Sequence, residues 1–273
     1  MELKNQFSLT GKVIIITGGT GVLGESFVNG IAQAGAIVGV LGRNERAANE
    51  RVASICSQGG KATALIADVT NEGQLKKAKE KVLNTYGKID GLVNAAGGNL
   101  PGALVQPEQD IFDLNFAALN EVLNLNLFGT ILPTQIFGEA IKSNGAGSIV
   151  NISSMAPQTV ITKVLGYSMA KSAIDSYTRW FAVELGKRFG GSIRMNAIAP
   201  GFFLTEQNRK LLTNENGSLT ERGTLVTKKT PFNRFGNPDE LIGALIWLLS
   251  DASKFVTGTV INVDGGFSIF SGV

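Results

Sequence analysis

The sequence predicts an α/β fold in which a doubly wound, seven-stranded parallel sheet carries helices on both faces. Seven short apolar runs, rich in β-branched residues, alternate with amphipathic stretches along all 273 residues. Near-continuous apolar strands separated by helices are typical of a parallel sheet covered on both faces, and right-handed crossovers wind such a sheet in both directions. Because no linker or internal repeat interrupts this alternation, we expect one domain over residues 1–273.

The apolar runs and the helical patterns give approximate boundaries for the elements. The predicted strands are 13–16, 36–41, 62–67, 91–94, 148–152, 193–198 and 260–263, and the clearest predicted helices are 25–34, 72–86, 168–189 and 238–249. Residues 100–120 and 207–233 break the rhythm. Long irregular segments in compact domains are either functional or disordered, and both follow strands at the edge where open α/β sheets bind ligands. We expect lids, with 207–233 covering the substrate.

The composition excludes several classes of site. The chain contains no histidine, which rules out Ser-His-Asp and Cys-His catalysis and the usual zinc sites. We therefore expect no metal, and acid–base chemistry must come from Tyr, Lys, Asp, Glu or Cys. The single cysteine, Cys56, cannot form an internal disulfide, which suits a reducing compartment.

Charge and hydropathy limit the kinds of partner that we expect for this protein. The first ten residues lack the apolar stretch of a signal peptide, and no run of 18 apolar residues could span a membrane. The net charge is only +3, and the lysines of the predicted helix 72–86 are typical of a solvated face. We expect a cytoplasmic protein that binds a small molecule and neither nucleic acid nor membrane.

A glycine-rich turn directly follows the first predicted strand. Residues 17–24 are Thr-Gly-Gly-Thr-Gly-Val-Leu-Gly, and 19–24 match the dinucleotide pattern G-x-G-x-x-G. Glycines permit the tight turn and let backbone N–H groups approach a pyrophosphate at a helix N-terminus, although an ordinary strand–helix turn remains the alternative. The predicted cofactor contacts here are Gly18, Gly19, Thr20, Gly21, Val22, Leu23 and Gly24.

The end of the second strand bears on the choice of cofactor. It reads Leu41-Gly42-Arg43-Asn44, with no carboxylate at position 42 to bind a ribose 2′-hydroxyl. Arg43 can form a charge-assisted fork with a 2′-phosphate, and Asn44 lies beside it. We predict NADP(H) as the preferred cofactor and NAD(H) as the alternative. The nearby Glu45 counts against a preference for NADP(H). In the alternative interpretation, Arg43 is simply a turn residue that faces solvent.

Tyr167 and Lys171 are spaced by four residues on a predicted helix, so their side chains share one face. An ammonium close to a phenol lowers a pKa that is about 10 in water, which would make Tyr167 a workable acid or base. Ser154 ends the fifth strand, where its hydroxyl could bond the same substrate oxygen. Taken alone, Tyr-x-x-x-Lys is common by chance and is usually structural.

Together with the glycine turn and the Asn-Ala-Ala-Gly of 94–97, these residues resemble the short-chain dehydrogenase/reductase family over nearly the whole chain. The resemblance implies a Rossmann fold, a nicotinamide cofactor and hydride transfer between a carbonyl and an alcohol. It also implies a homotetramer. The implied catalytic residues are Asn126, which organises a relay water, Ser154, which holds the oxygen, Tyr167, the proton donor, and Lys171, which tunes Tyr167 and binds the ribose.

The same resemblance implies further cofactor contacts beyond the glycine turn. These positions are Asp68, Val69, Asn94, Ala95, Ala96, Gly97, Tyr167, Lys171, Pro200, Gly201, Phe203 and Thr205. One position departs from the family pattern, because Val22 stands where the turn usually has its second glycine. Gly21, one residue earlier, could supply the close approach to the phosphates.

Within the family, several stretches resemble the D-mannonate oxidoreductase (fructuronate reductase) group. They are 94–99, 132–135, 201–209, 264–268 and 271–273. A sugar acid presents hydroxyls and a carboxylate, which need amide and guanidinium donors. The predicted substrate residues are Asn99, Ser154, Gln158, Gln207, Asn208 and Arg209. The bland alternative is that these polar residues are ordinary lid surface.

Other functions stay open at this point. The enzyme could reduce another polyol or sugar, or a 3-oxoacyl substrate, although the polar segment 207–222 speaks against an acyl chain. A non-catalytic module that only binds the nucleotide is the rival from a different class. The presence of all four catalytic positions argues against that module.

Overall fold

The computed structural model describes residues 3–205 and 208–272. Within these residues, seven strands form one parallel sheet in the order β3-β2-β1-β4-β5-β6-β7. The strands are β1 (Val13–Thr17), β2 (Ile37–Gly42), β3 (Lys61–Ile66), β4 (Gly91–Asn94), β5 (Gly147–Ile152), β6 (Ile193–Pro200) and β7 (Val260–Val263). The predicted seven-stranded, doubly wound parallel sheet is confirmed.

Helices cover both faces of this sheet. The α-helices are α1 (Leu3–Gln6), α2 (Val22–Gln33), α3 (Glu45–Ser57), α4 (Glu72–Tyr86), α5 (Phe116–Leu123), α6 (Gly129–Ser143), α7 (Leu165–Phe189), α8 (Arg209–Leu212), α9 (Glu221–Lys229) and α10 (Ile242–Leu249). Short 3₁₀ turns lie at Pro101–Ala103, Pro238–Leu241 and Asp251–Ser253, and one π-helical turn at Asn124–Phe128. None of these helices is long and apolar enough to cross a membrane.

The alternation of side chains along β1 builds two cores. Ile14 and Ile16 belong to the core beneath α2, α3 and α10, whereas Val13 and Ile15 belong to the core beneath α4, α6 and α7. All four side chains are at most 1% exposed. Successive residues of a strand point to opposite faces, so a wholly apolar strand fits only where both faces are covered.

The two irregular segments contain more helix than the sequence predicts. Residues 100–120 begin with a 3₁₀ turn and run into α5, which starts at Phe116, and the described part of 207–233 holds α8 and α9. The predicted helix 238–249 is divided, because Asn237 caps a 3₁₀ turn that precedes α10. Polar caps and short turns of this kind hardly change the hydropathy pattern, so that pattern does not predict them.

The strand order reverses at β1, which lies between β2 and β4. Crossovers on the two sides of such a point lead to opposite faces and open a crevice at the carboxyl ends of the strands. Six of the predicted site segments follow carboxyl ends of strands: 18–24 after β1, 43–44 after β2, 68–69 after β3, 95–99 after β4, 153–154 after β5 and 201–205 after β6.

We predict that Gly24→Ala destabilises the fold while Gly21→Ala does not. Gly24 lies in α2, where alanine ordinarily favours the helix, but a Cβ there would overlap the carbonyl oxygen of Gly18. At Gly21 the nearest atom is 3.4 Å away, so a methyl group fits. Overpacking costs about 1–3 kcal/mol. Denaturant unfolding of both variants measures the difference, and equal free energies of unfolding would contradict the close packing.

Candidate active site

The turn after β1 is held against the turn after β4. Gly18 has a φ of 68°, and a Cβ on it would lie 2.8 Å from the carbonyl oxygen of Ala95 and from the amide nitrogen of Ala96. Thr17 Oγ1 accepts hydrogen bonds from the backbone amides of Ala95 and Ala96, at 3.0 and 3.1 Å. Thr17 was not among the predicted site residues, and it fixes the floor of the crevice.

The N-terminus of α2 opens onto this crevice. Gly21 precedes the helix and donates its N–H to the Gly18 carbonyl, and Val22 is the first helical residue. No side chain caps the helix, and almost nothing approaches the position of a Cβ at Gly21. Free N–H groups and open space at a helix N-terminus fit a pyrophosphate. The open space at Gly21 is compatible with the predicted approach to the phosphates, which stays a prediction.

Asn94 and Val69 support the crevice from inside the fold. The Asn94 side-chain amide donates to Thr134 Oγ1 at 2.8 Å and to Asn151 Oδ1 at 2.9 Å, so it ties β4 to β5 and α6. Val69 is 6% exposed and packs against Gly129. Both side chains shape the site, and a cofactor would contact the chain here through backbone atoms or through neighbouring residues.

The end of β2 leaves no room for a large side chain at position 42. A Cβ on Gly42 would lie 2.5 Å from Thr20 Oγ1. Arg43 is 75% exposed, with Nη1 3.6 Å from Asp68 Oδ2. Burial would raise the pKa of Asp68, but hydrogen bonds from Thr70 and the charge of Arg43 outweigh it and hold that pKa low. The Asn44 side-chain oxygen caps α3 by accepting from the Ala47 amide.

Asn126 and Lys171 meet behind the turn after β4. Asn126 is fully buried in the π-helical turn, where its side chain accepts from the Gly98 amide at 2.9 Å and donates to the Gly98 carbonyl at 2.7 Å. A Cβ on Gly97 would lie 2.6 Å from Asn126 Oδ1 and 3.6 Å from Lys171 Nζ. Single π-helical turns are frequent at functional sites because they re-aim side chains. The structure thus brings these two predicted catalytic residues together.

Tyr167 and Lys171 lie on one face of α7, as the spacing predicts. Lys171 Nζ donates to the Ile152 carbonyl at 2.7 Å and lies 5.4 Å from the centroid of the Tyr167 ring. Burial lowers the pKa of Lys171 to about 8, while the charge of Asp175 acts in the opposite direction. The ammonium form therefore still predominates at neutral pH.

Burial raises the pKa of the Tyr167 phenol above its ordinary value, and the nearby Ser154 hydroxyl offsets only part of that rise. The sequence-based expectation of a lowered pKa is therefore not met in this structure. Desolvation penalises the phenolate more than the neighbouring groups stabilise it. Tyr167 is held protonated at neutral pH, which is the form that can donate a proton.

Asp175 and Ser153 complete the site from behind, and neither was predicted. Asp175 is 3% exposed and lies one helical turn beyond Lys171 on α7. Ser153 Oγ donates a hydrogen bond to its carboxylate. Burial raises the pKa of Asp175, opposed by Ser153 and by the charges of Arg179 and Lys171. The four-residue spacing from Tyr167 to Lys171 to Asp175 is the sequence signal that could have found it.

A cavity of about 480 Å³ opens next to Tyr167 and Ser154. A smaller cleft of about 160 Å³ shares both residues and continues to Lys171, Pro200 and the glycines after β4. Ligand sites in proteins commonly measure about 300–1,000 Å³. The cleft fits the reactive ring of a cofactor, lined as expected by Ala95, Gly97, Gly201, Phe203 and Thr205, and the larger cavity fits a substrate.

Two of the predicted substrate residues besides Ser154 line the larger cavity. Asn99 lines it with a buried side-chain oxygen that has no hydrogen-bond partner in the described structure. Asn208 lines it as well, and its side chain braces the loop by accepting from the Thr205 amide and donating to the Phe203 carbonyl, both at 2.8 Å.

Gln158 and Arg209 are not brought into the cavity. Gln158 pairs with the side chain of Asn262 in two bonds of 2.6 and 2.7 Å, and Arg209 is exposed outside the lining. Gln207 lies outside the described residues. Arg222, which was not predicted, does line the cavity. Hydrophilic composition marked the right segment but could not tell which of its side chains face inward.

The chain is similar to proteins of known family along its whole length. The sequence model of a family described as enoyl-(acyl carrier protein) reductase matches residues 21–268. An uncharacterized oxidoreductase of Bacillus subtilis, UxuB, is 40% identical, covering 97% of this chain and 98% of that protein.

Two solved structures are similar in both sequence and fold. One is a Haemophilus influenzae protein provisionally named a D-mannonate oxidoreductase, with bound NAD; it is 39% identical with a TM-score of 0.90, and all of both chains is covered. The other is a gluconate 5-dehydrogenase of Burkholderia cenocepacia in complex with NADP and tartrate, 30% identical with a TM-score of 0.85, covering 98% of this chain and 99% of that one. With the crevice and the Ser154, Tyr167 and Lys171 side chains in place, the chain belongs to the short-chain dehydrogenase/reductase family of NAD(P)-dependent oxidoreductases.

Proposed function

We propose that this protein interconverts a keto sugar acid and its alcohol, with D-fructuronate and D-mannonate as the pair. The observation that carries the proposal is the cavity of about 480 Å³, which joins Ser154 and Tyr167 to the amides of Asn99 and Asn208. Asn99 and Asn208 supply polar side chains to a wall that is otherwise largely apolar. The likeness to the Haemophilus influenzae protein and to a gluconate dehydrogenase supports a six-carbon acid.

The catalytic groups divide the work. In the proposed reaction Ser154 holds the substrate oxygen by a hydrogen bond, and Tyr167 donates the proton that this oxygen takes up on reduction. Lys171, a buried ammonium anchored on the Ile152 carbonyl, stabilises negative charge as it develops on the phenol. Asn126 fixes the Gly98 backbone beside them. A bound nicotinamide cofactor supplies or accepts the hydride.

The cofactor is assigned to the crevice at the strand-order reversal. The glycine turn would hold the pyrophosphate, and Ala95 to Gly97, Pro200, Gly201 and Thr205 would border the nicotinamide. NADP(H) is proposed as the preferred form, because Gly42 has no room for a ribose-binding carboxylate and the exposed Arg43 can reach a 2′-phosphate. The pair with Asp68 keeps Arg43 beside that position.

The substrate proposal is tested with the purified enzyme and both cofactors. We expect reduction of D-fructuronate and, in reverse, oxidation of D-mannonate, followed by absorbance of the reduced nicotinamide. D-Fructose and D-mannitol are matched controls without the carboxylate, and we expect a much lower kcat/KM for them. Turnover of other ketones with neither sugar acid accepted would refute the proposed substrate and leave the oxidoreductase class.

Replacing Tyr167 with Phe tests the proton donor. The ring is kept and only the hydroxyl is lost, so kcat should fall by about 10²-fold or more. Binding of the reduced cofactor, measured by its fluorescence, should stay within a few-fold of the native value. Near-native turnover would show that another group donates the proton.

Arg43→Ala tests the cofactor preference. Loss of a charged hydrogen bond costs about 1.5–3 kcal/mol, so the variant should bind NADPH more than tenfold more weakly and NADH almost unchanged. Calorimetric titration with each cofactor measures both constants. An equal effect on the two cofactors would place the guanidinium in solvent.

A second candidate function is reduction of a 3-oxoacyl or other apolar ketone. Much of the cavity wall is apolar, and this observation favours such a substrate. The wall includes Leu100, Leu104, Ile161, Val164, Leu211 and Leu212. The same substrate panel decides, since an apolar ketone would then outcompete the sugar acids.

Two further proposals concern motion and assembly. Segment 207–233 is proposed as the substrate lid, because Leu211 and Leu212 of α8 form part of the cavity wall. A homotetramer is proposed because apolar side chains such as Trp180 and Ile269 are 63% and 85% exposed. A location in the cytoplasm stays a prediction from the sequence.

A further inference from the structure

Arg222 is the one charged side chain among the described residues that line the substrate cavity. It is half-buried in the first turn of α9, within the proposed lid segment. Much of the wall around it is apolar, while Ser154 and Tyr167 border the same cavity. A guanidinium beside an apolar wall is costly to desolvate unless an anion or good acceptors satisfy it. The hydrogen-bond acceptors around Arg222 therefore decide how well its charge is satisfied.

The backbone around Arg222 is firmly placed. Thr220 caps α9 by accepting from the Gly223 amide at 3.0 Å, and its hydroxyl also contacts the Leu211 carbonyl at 2.7 Å. Gly223 packs directly on Leu212, since a Cβ at that position would overlap the Leu212 carbonyl oxygen. Helices α8 and α9 thus form one unit, and the direction in which Arg222 leaves the helix is set by that packing.

The two hydrogen bonds that Arg222 forms with Thr162 leave other N–H donors of the guanidinium for a ligand. Arg222 Nη1 donates to Thr162 Oγ1 at 3.2 Å and Nη2 donates to the Thr162 carbonyl at 3.3 Å. Both distances lie at the long end for such bonds, and both acceptors are neutral. A guanidinium carries five donors in a rigid fork that matches a carboxylate. Charge and geometry at this point of the cavity are suited to an anion.

We propose that Arg222 binds the carboxylate of the substrate and so selects an acid over its neutral analogue. The inference deepens the proposed function and rests on it. Ser154 and Tyr167 hold the reacting oxygen at one part of the cavity, and Arg222 holds the carboxylate at another, so the acid is fixed at two points. A substrate without the carboxylate leaves the guanidinium with Thr162 alone and loses this contact.

The test measures binding without turnover. D-Mannonate and D-mannitol are titrated calorimetrically into the native enzyme saturated with reduced cofactor, a mixture in which neither alcohol can react. We expect D-mannonate to bind at least tenfold more tightly than D-mannitol. Arg222→Gln should weaken D-mannonate by about ten- to hundredfold and D-mannitol by less than threefold. Arg222→Lys, which keeps the charge and loses the fork, should fall between.

Two control variants separate recognition from structure. Lys228→Gln removes an exposed charge from the same helix and should change neither constant. Thr162→Val removes one acceptor of Arg222 and should leave the preference for the acid intact. A role of Arg222 in merely holding the lid would weaken both ligands together.

The outcomes distinguish the two proposals. Loss of D-mannonate binding alone supports Arg222 as the carboxylate residue. Equal losses for both ligands, an unchanged Arg222→Gln variant, or a native enzyme that does not prefer the acid overturns it. If the native enzyme reduces no sugar acid but still shows Arg222-dependent binding of D-mannonate, the proposed function fails and the carboxylate site stands.

Discussion

The contact between the turn after β1 and the turn after β4 is the constraint on which the site depends. Gly18 approaches Ala95 and Ala96 so closely that no side chain fits between them, and Thr17 accepts hydrogen bonds from both amides. This contact fixes the crevice at the reversal of strand order. It also sets the start of the loop that continues to Gly97 and Gly98, whose backbone holds Asn126. The packing of the adjacent strands β1 and β4 therefore sets the geometry of the site.

Burial decides the electrostatics of the active site. It lowers the pKa of Lys171 to about 8 and raises the pKa of Tyr167. The phenol therefore holds its proton more tightly, whereas a neighbouring ammonium alone would make the phenol more acidic. Asp175 supplies a buried negative charge that acts against the lowering at Lys171. The three groups are spaced by one helical turn each on α7. One helix therefore places three buried titratable groups at the site.

The sequence predicted the sheet and its seven strands because these signals are local, and the signals behind the predicted catalytic residues are local as well. Apolar runs mark buried strands, and the glycine turn and the Tyr167–Lys171 spacing each lie within a few residues. Which side chains line the cavity is harder to predict from the sequence, because facing a cavity depends on long-range packing. Gln158 is held outside the cavity by its hydrogen bonds with Asn262, 104 positions further along the chain. Gly223 packs on Leu212, and this packing turns Arg222 inward. Neither relation has a local pattern.

The fold separates the chemistry from the selection of substrate. Ser154, Lys171 and Asn126 are fixed by strand ends, a long helix and buried hydrogen bonds, so changes near them disturb the core. Much of the cavity wall instead comes from the loop after β4 and from α8 and α9, which pack on each other and only lightly on the sheet. Substitutions there can reshape the cavity wall without moving Tyr167. In the proposed function, Arg222 in that outer unit would turn a carbonyl reductase site toward acids.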